Sequence, residues 1–226
     1  MFNMAKKVIY TCITDGYDTL SNPSRISKDY DYICFTDDPN LKSSVWNIRP
    51  IPNELNELDK VKIHKALKIC PHKYLSEYDM SVWVDGNTSL NIDVDSFVDS
   101  IIDDEHCIFL KTHPSRKCAY KEKEICSRMK KDDDGVMSRQ MDAYRKEGFP
   151  TDYGLSENNF IIRFHNDKRC MALMEMWFNE VLNGSRRDQL SLQFCIWRIG
   201  CEECIKYFKP TRELTPKLHR KYRLRK

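Results

Sequence analysis

Three apolar runs in the first half of the chain each end on aspartate. Residues 7–14 are rich in β-branched side chains and stop at Asp15-Gly16, and residues 30–36 stop at Asp37-Asp38-Pro39. Residues 80–84 alternate at period two and stop at Asp85-Gly86-Asn87. Runs of this length and composition, closed by turn formers, read as strands. Between the second and third, residues 59–70 place Ile63, Ala66, Leu67 and Cys70 on one helical face, and Pro71 ends the pattern. Strand and helix signals in alternation predict an α/β domain with a mostly parallel central sheet flanked by crossover helices. In such sheets ligands bind beyond the carboxyl ends of the strands. If the three strands are neighbours, their aspartates form one acidic rim, and a rim of carboxylates suits a divalent cation.

Further strand signals lie at 106–110 and 159–164, and helical spacing recurs at 116–130, 138–147, 168–182 and 185–199. The expected organisation is one α/β domain over residues 1–205 and a basic tail over 206–226. That tail holds nine Lys or Arg and one Glu, a charge of +8; taken from the chain's +3, this leaves −5 on the body. A basic tail suits an anionic membrane surface better than nucleic acid, because Tyr207, Phe208 and Tyr222 are its only stacking rings. No apolar run approaches the roughly 18 residues that span a bilayer, and residues 1–7 lack a signal-peptide core. The expected location is cytoplasmic, with peripheral contact at a membrane surface.

The seven glycines spell no G-x-G-x-x-G, Walker A or G-x-S-x-G motif, and the six histidines spell no H-E-x-x-H. Ten cysteines without a secretory signal read as reduced, packed thiols. Cys201 and Cys204 form the only C-x-x-C; Cys195 and His219 would have to complete a zinc set, and plain packing is the better reading.

Asp85-Gly86-Asn87 presents two oxygen donors across a glycine, which suits one hard cation but also makes an ordinary turn. Lys62 and Lys65 are three apart on the helix before it, and Lys68 continues the stripe. Such a stripe is either a solvated face or a pair of phosphate clamps facing the rim. Arg116 and Tyr120 share a helical face at i, i+4, which suits acceptor or diphosphate contact as well as an exposed amphipathic helix. Glu157, Asn158 and Asn159 precede the strand at 159–164 and could line the acceptor side. Ser185 and Asp188 have the spacing of a capping-box variant, N-cap and N3, before an apolar helical run.

In order, Thr14-Asp15-Gly16-Tyr17-Asp18, Thr36-Asp37-Asp38, the helix bearing Lys62, His64 and Lys65, and Val82-Trp83-Val84-Asp85-Gly86-Asn87 resemble GT-A-fold nucleotide-sugar glycosyltransferases. The resemblance is strongest to the glycosyltransferase-like family of plant turgor and seed-mucilage proteins. It continues through 113–122, 140–150, 154–159 and 185–191, and so covers most of the body. It implies that Asp85 and Asn87 hold Mn²⁺ or Mg²⁺ and the diphosphate. Asn87 stands where the pattern has a second aspartate, and its neutral amide oxygen binds such ions less strongly. It further implies that Thr11, Asp15 and Tyr17 belong to the nucleotide pocket with Asp37 beyond the second strand, and that Lys65 approaches the diphosphate.

The expected activity is transfer of a sugar from a nucleotide-diphosphate donor to a glycan or lipid-linked acceptor. Asp188 is the candidate for acid–base work on the acceptor hydroxyl, with Gln189 beside it. The alternatives are a non-catalytic nucleotide-binding domain recruited by its tail, and a divalent-metal hydrolase using the same rim.

Overall fold

The computed structural model describes residues 5–211 and Leu214. Its strands are β1 (Lys7–Ile13), β2 (Tyr30–Thr36), β3 (Asn47–Pro50), β4 (Met80–Val84), β5 (Ile108–Thr112), β6 (Ser156–Arg163) and β7 (Ile205–Phe208). They form a single sheet in the order β3-β2-β1-β4-β6-β5-β7. Only β6 runs against its neighbours; the other pairings are parallel. The expected α/β architecture is therefore present, and β2, β1 and β4 are adjacent as the acidic rim requires.

The period-two alternation of the strands divides the core into two layers. β1 sends Val8, Tyr10 and Cys12 toward α1 (Lys60–Ile69) and α6 (Lys168–Asn183), and Ile9 and Ile13 toward α3 (Val94–Asp99). The first layer also takes up α4 (Ala119–Arg128), α5 (Asp134–Glu147) and α7 (Leu192–Ile199). A short turn of helix, α2 (Pro71–Tyr74), follows α1 directly. Among the described residues no helix is long and apolar enough to cross a membrane.

α1 is fixed at both ends. Asp59 caps its start, accepting from the backbone of Val61 and Lys62. At its end Arg163 of β6, fully buried, donates to the carbonyls of Lys68 (2.8 Å) and Ile69 (3.2 Å) and to Tyr10 Oη (2.6 Å). A buried guanidinium thus satisfies carbonyls that the helix terminus leaves over.

The structure corrects several boundaries. β6 begins at Ser156, so Glu157, Asn158 and Asn159 lie within the strand. The helix expected over 185–199 is a 3₁₀ turn at Asp188–Leu190 followed by α7. Ser185 makes no capping box with Asp188: its Oγ donates to Asp132 Oδ2 at 2.6 Å and accepts from Arg187 N at 3.1 Å. β7 takes in residues 206–208 of the segment expected as a tail, and Lys206 pairs with Asp103 at 2.9 Å. Leu214 is buried, and its carbonyl accepts from Lys111 Nζ (3.1 Å) and Asn159 Nδ2 (3.3 Å). Residues 212, 213 and 215–226, His219 and Tyr222 included, lie outside the described residues. All ten cysteines are free and buried.

Candidate active site

β1 is the point where the strand order reverses, with β2 on one side and β4 on the other. Crevices at the carboxyl ends of such strands are the ligand positions of open α/β sheets. A cavity of about 390 Å³ opens there. Its walls are Thr14, Asp15, Tyr17 and Asp18 after β1, Lys60, His64 and Lys65 of α1, Asp85-Gly86 after β4, and Lys131, Arg186 and Arg187. A second cavity of about 460 Å³ shares Ile13 and Asp18 with it and lies toward β2, reaching Thr36, Asp38, Leu41 and Lys42.

Behind the first cavity lies a closed set of ion pairs. Asp188 accepts from Lys65 Nζ through Oδ1 (2.9 Å), and Lys68 Nζ stands 2.9 Å from its Oδ2. Lys68 Nζ also donates to Asp85 Oδ1 at 3.2 Å, and the same oxygen accepts Trp83 Nε1 at 2.7 Å. The side chains of Lys68 and Asp188 are 3% and 4% exposed. Trp83 is buried, lies beneath the Lys68 ammonium (5.7 Å to its ring) and meets the His64 ring edge to face at 5.2 Å.

These contacts set the charges. Burial alone would raise the Asp188 carboxyl, but Lys65, Lys68 and Arg187 hold it far below the usual carboxylate range. Asp85 is lowered despite burial, through the ammonium groups of Lys68 and Lys65. Burial pulls Lys65 down against the attraction of Asp188, whereas the two carboxylates overcome burial at Lys68 and raise it. Burial and the neighbouring Lys65 lower His64 to about 3, so it faces the cavity as a neutral imidazole.

The residues expected at the site separate into two groups. Asp15, Tyr17, Lys65 and Asp85 line the first cavity. Asp37 braces it from outside, holding Lys60 Nζ at 2.9 Å and accepting from Asp15 N at 3.1 Å. Thr11 is buried within β1 on the face of Ile9 and Ile13, below the cavity, and its Oγ1 has no partner among the described residues. Lys62 turns away and donates to the Leu182 carbonyl near the end of α6 at 3.1 Å. Asp188 lies behind the wall, and Gln189 joins the Ser156 carbonyl (3.0 Å) to Arg187 (3.2 Å).

The four residues assigned to acceptor or diphosphate contact line neither cavity. Arg116 pairs with the buried Glu122, and Tyr120 is a core residue donating to the Phe149 carbonyl at 2.8 Å. Glu157 pairs with Lys111 at 2.9 Å, and Asn158 accepts from Ser156 Oγ at 2.6 Å. Sequence reasoning gave no role to Asp18, Lys60, His64, Lys131, Arg186 and Arg187 of the lining or to Trp83, and left Lys68 between a solvated face and a phosphate clamp.

Asp85-Gly86-Asn87 forms a turn closed by Thr88 N donating to the Asp85 carbonyl at 2.8 Å. Space at Gly86 is tight: a Cβ there would lie 3.1 Å from Ile13 Cγ1 and 3.3 Å from Asp18 Cβ. Asp85 lines the cavity; Asn87 does not. This pair does not fit a divalent cation in the present arrangement, because the Lys68 ammonium already stands on Asp85 Oδ1 and Asn87 lies off the cavity lining. Among the described residues no three His, Cys, Asp or Glu side chains converge as a metal-holding group.

The sheet and its charged crevice define an open α/β domain with its cleft at the topological switch point. Residues 1–215 match the family model described as TOD1/MUCI70, glycosyltransferase-like domain, and the chain belongs to that family. It is 25% identical over 212 residues to "Probable hexosyltransferase MUCI70" of Arabidopsis thaliana, a similarity covering 81% of this chain and 36% of that protein. The chain thus spans little more than a third of that relative's length.

Proposed function

We propose that this domain transfers a hexosyl group from a nucleotide-diphosphate donor to a hydroxyl of a glycan or lipid-linked acceptor. The observation that carries this reading is the composition of the switch-point cavity. Five cationic side chains (Lys60, Lys65, Lys131, Arg186 and Arg187) line it against three carboxylates, Asp15, Asp18 and Asp85. Two of the five are held from outside the lining, Lys60 by Asp37 and Arg186 by Asp132 at 3.1 Å. Arg187, which lines the cavity, has a buried Nε with no hydrogen-bond partner among the described residues. A diphosphate satisfies such donors, and membership of a glycosyltransferase-like family supports reading that diphosphate as part of a sugar donor.

The two connected cavities suit the two halves of that donor. The first, cationic cavity suits the diphosphate and sugar. The second has Lys42 against Asp18 and Asp38, with Ile13, Leu20 and Leu41, and suits an uncharged nucleoside whose hydroxyls and ring N–H groups meet carboxylates. In the transfer step the bond from the sugar to the diphosphate breaks and negative charge grows on the departing oxygen. Preorganised cations at that oxygen lower the barrier, each donor contributing about 3–4 kcal/mol in such sites. Lys65 and Arg187 take that role here. Asp188 positions the lysines; with its proton affinity suppressed by three cations, it is a poor base.

Incubation with a panel of nucleotide sugars, followed by quantification of released nucleoside diphosphate, tests the reading. One donor is expected to be turned over preferentially, and Arg187→Ala to slow that release by roughly 10²-fold. Absence of both release and thermal stabilisation across the panel would overturn it.

A further inference from the structure

We infer that the donor diphosphate is bound without a divalent cation: the ammonium of Lys68, locked between Asp85 and Asp188, occupies the charge position beside Asp85, and Lys65 and Arg187 receive the diphosphate. This rests on the nucleotide-sugar reading and specifies how that site handles charge.

Four observations support it. Lys68 Nζ lies 3.2 Å from Asp85 Oδ1 and 2.9 Å from Asp188 Oδ2, so one ammonium neutralises parts of both carboxylates. The Asp85 oxygen concerned also accepts Trp83 Nε1 at 2.7 Å, which leaves it two donors before any ligand arrives. Lys68 is clamped from its own backbone, since its carbonyl accepts from Arg163 (2.8 Å) and Tyr10 (3.0 Å) in the core. Its side chain, 3% exposed, would therefore have to leave a fixed helix end to make room for another cation. Finally, the cavity lining places five ammonium or guanidinium groups around the space beside Asp85, so a diphosphate meets cationic partners there without an added ion.

The chemistry is balanced without further components. The glycosidic bond to the diphosphate breaks, its electron pair stays on the departing phosphate oxygen, and fixed ammonium and guanidinium groups take up the charge. The acceptor oxygen forms the new bond and its proton leaves to solvent.

Calorimetric titration of UDP, GDP, CDP and ADP into the full chain, in excess EDTA and separately in saturating Mn²⁺, decides the matter. The best-bound nucleotide is expected to show the same affinity in both buffers to within about threefold. Lys68→Met frees the Asp85 oxygen; in that variant binding in EDTA is expected to fall by about tenfold or more and to recover in Mn²⁺. If Lys68→Met does not fold, the wild-type pair of titrations still gives the answer. Wild-type binding that appears only with Mn²⁺, or tightens more than about tenfold with it, overturns the inference and leaves the donor reading standing. No binding of any nucleotide in either buffer overturns the donor reading itself, and this inference with it.

Discussion

Lys65 and Asp188, 123 residues apart in the chain, meet at 2.9 Å with side chains 10% and 4% exposed. Lys68, one helical turn further on α1, contacts the other oxygen of the same carboxylate. The wall of the cavity is therefore set by a contact between α1 and the 3₁₀ turn before α7, and Trp177 of α6 holds that turn through a 2.9 Å bond to the Asp188 carbonyl. Two buried ammonium groups converge on one carboxylate, so changes at any of the three propagate to the others.

Asp188→Asn should lower both stability and donor affinity together. Removing one partner of a buried ion pair leaves an uncompensated charge and typically costs about 3–5 kcal/mol. Here two lysines lose that partner. Urea denaturation and nucleotide calorimetry on the same preparation measure both effects. A variant with wild-type melting and donor binding but a kcat lower by roughly 10²-fold would instead make Asp188 a catalytic acid–base group.

Arg163→Lys keeps the charge but cannot reproduce the guanidinium's fan of donors to Tyr10 Oη and the carbonyls of Lys68 and Ile69. We expect a loss of about 2–4 kcal/mol in denaturant unfolding, since each buried acceptor left unmet costs about 1–3 kcal/mol. Arg163→Lys with unchanged stability would show that the end of α1 does not depend on this clamp.

The architecture was legible in the sequence because the strands that build the switch point are strongly patterned. Residues 7–14, 30–36 and 80–84 fall on β1, β2 and β4, and their aspartate endings do come together. β3 was invisible because Asn47–Pro50 is a short, polar edge segment. β7 was concealed by the basic composition around it, although Ile205 and Phe208 carry its apolar signal. The site was only half legible. Asp85 and Lys65 do line the cavity, but the Lys68 stripe read equally as a solvated face or a phosphate clamp, and no local pattern shows that its ammonium meets the carboxylates of Asp85 and Asp188. Asp188 was singled out, yet its spacing from Ser185 suggested a helix cap where the chain makes a 3₁₀ turn. Arg116, Tyr120, Glu157 and Asn158 carry polar groups whose demands are met by partners remote in sequence, and such pairings leave no periodic trace.

Acidification should destabilise the fold well before the carboxylates titrate. Burial lowers His64 from 6.5 to about 3 and His165 to about 4. In both cases the native state refuses a proton that the unfolded chain accepts, so stability is complete above about pH 6.5 and declines as pH falls toward 4. Each such histidine adds up to about 1.4 kcal/mol per pH unit to the slope within that window. His64→Gln should flatten the slope by that amount in urea midpoints measured from about pH 7 to about pH 5. An unchanged slope would mean that His64 protonates freely in the native state. Below about pH 4 the depressed Asp188 adds a further loss, because there the unfolded chain takes up its proton first.

Gly86→Ala tests the packing beneath Asp85. The added methyl meets Ile13 Cγ1 at 3.1 Å and Asp18 Cβ at 3.3 Å, and both residues border the two cavities. Overpacking of this kind typically costs about 1–3 kcal/mol. We expect a moderate fall in melting temperature and weaker nucleotide binding. Wild-type affinity would show that the turn after β4 can move without disturbing the cavity.

The central claim concerns where the diphosphate lies, and a crystal structure of the chain with the nucleoside diphosphate product of its preferred donor measures that directly. The account predicts phosphate oxygens within hydrogen-bond distance of Lys65 Nζ and the Arg187 guanidinium, and the nucleoside toward Thr36 and Leu41. It also predicts Lys68 still between Asp85 and Asp188. A diphosphate seated elsewhere, or one reached through a cation on Asp85 with Lys68 displaced, would contradict it.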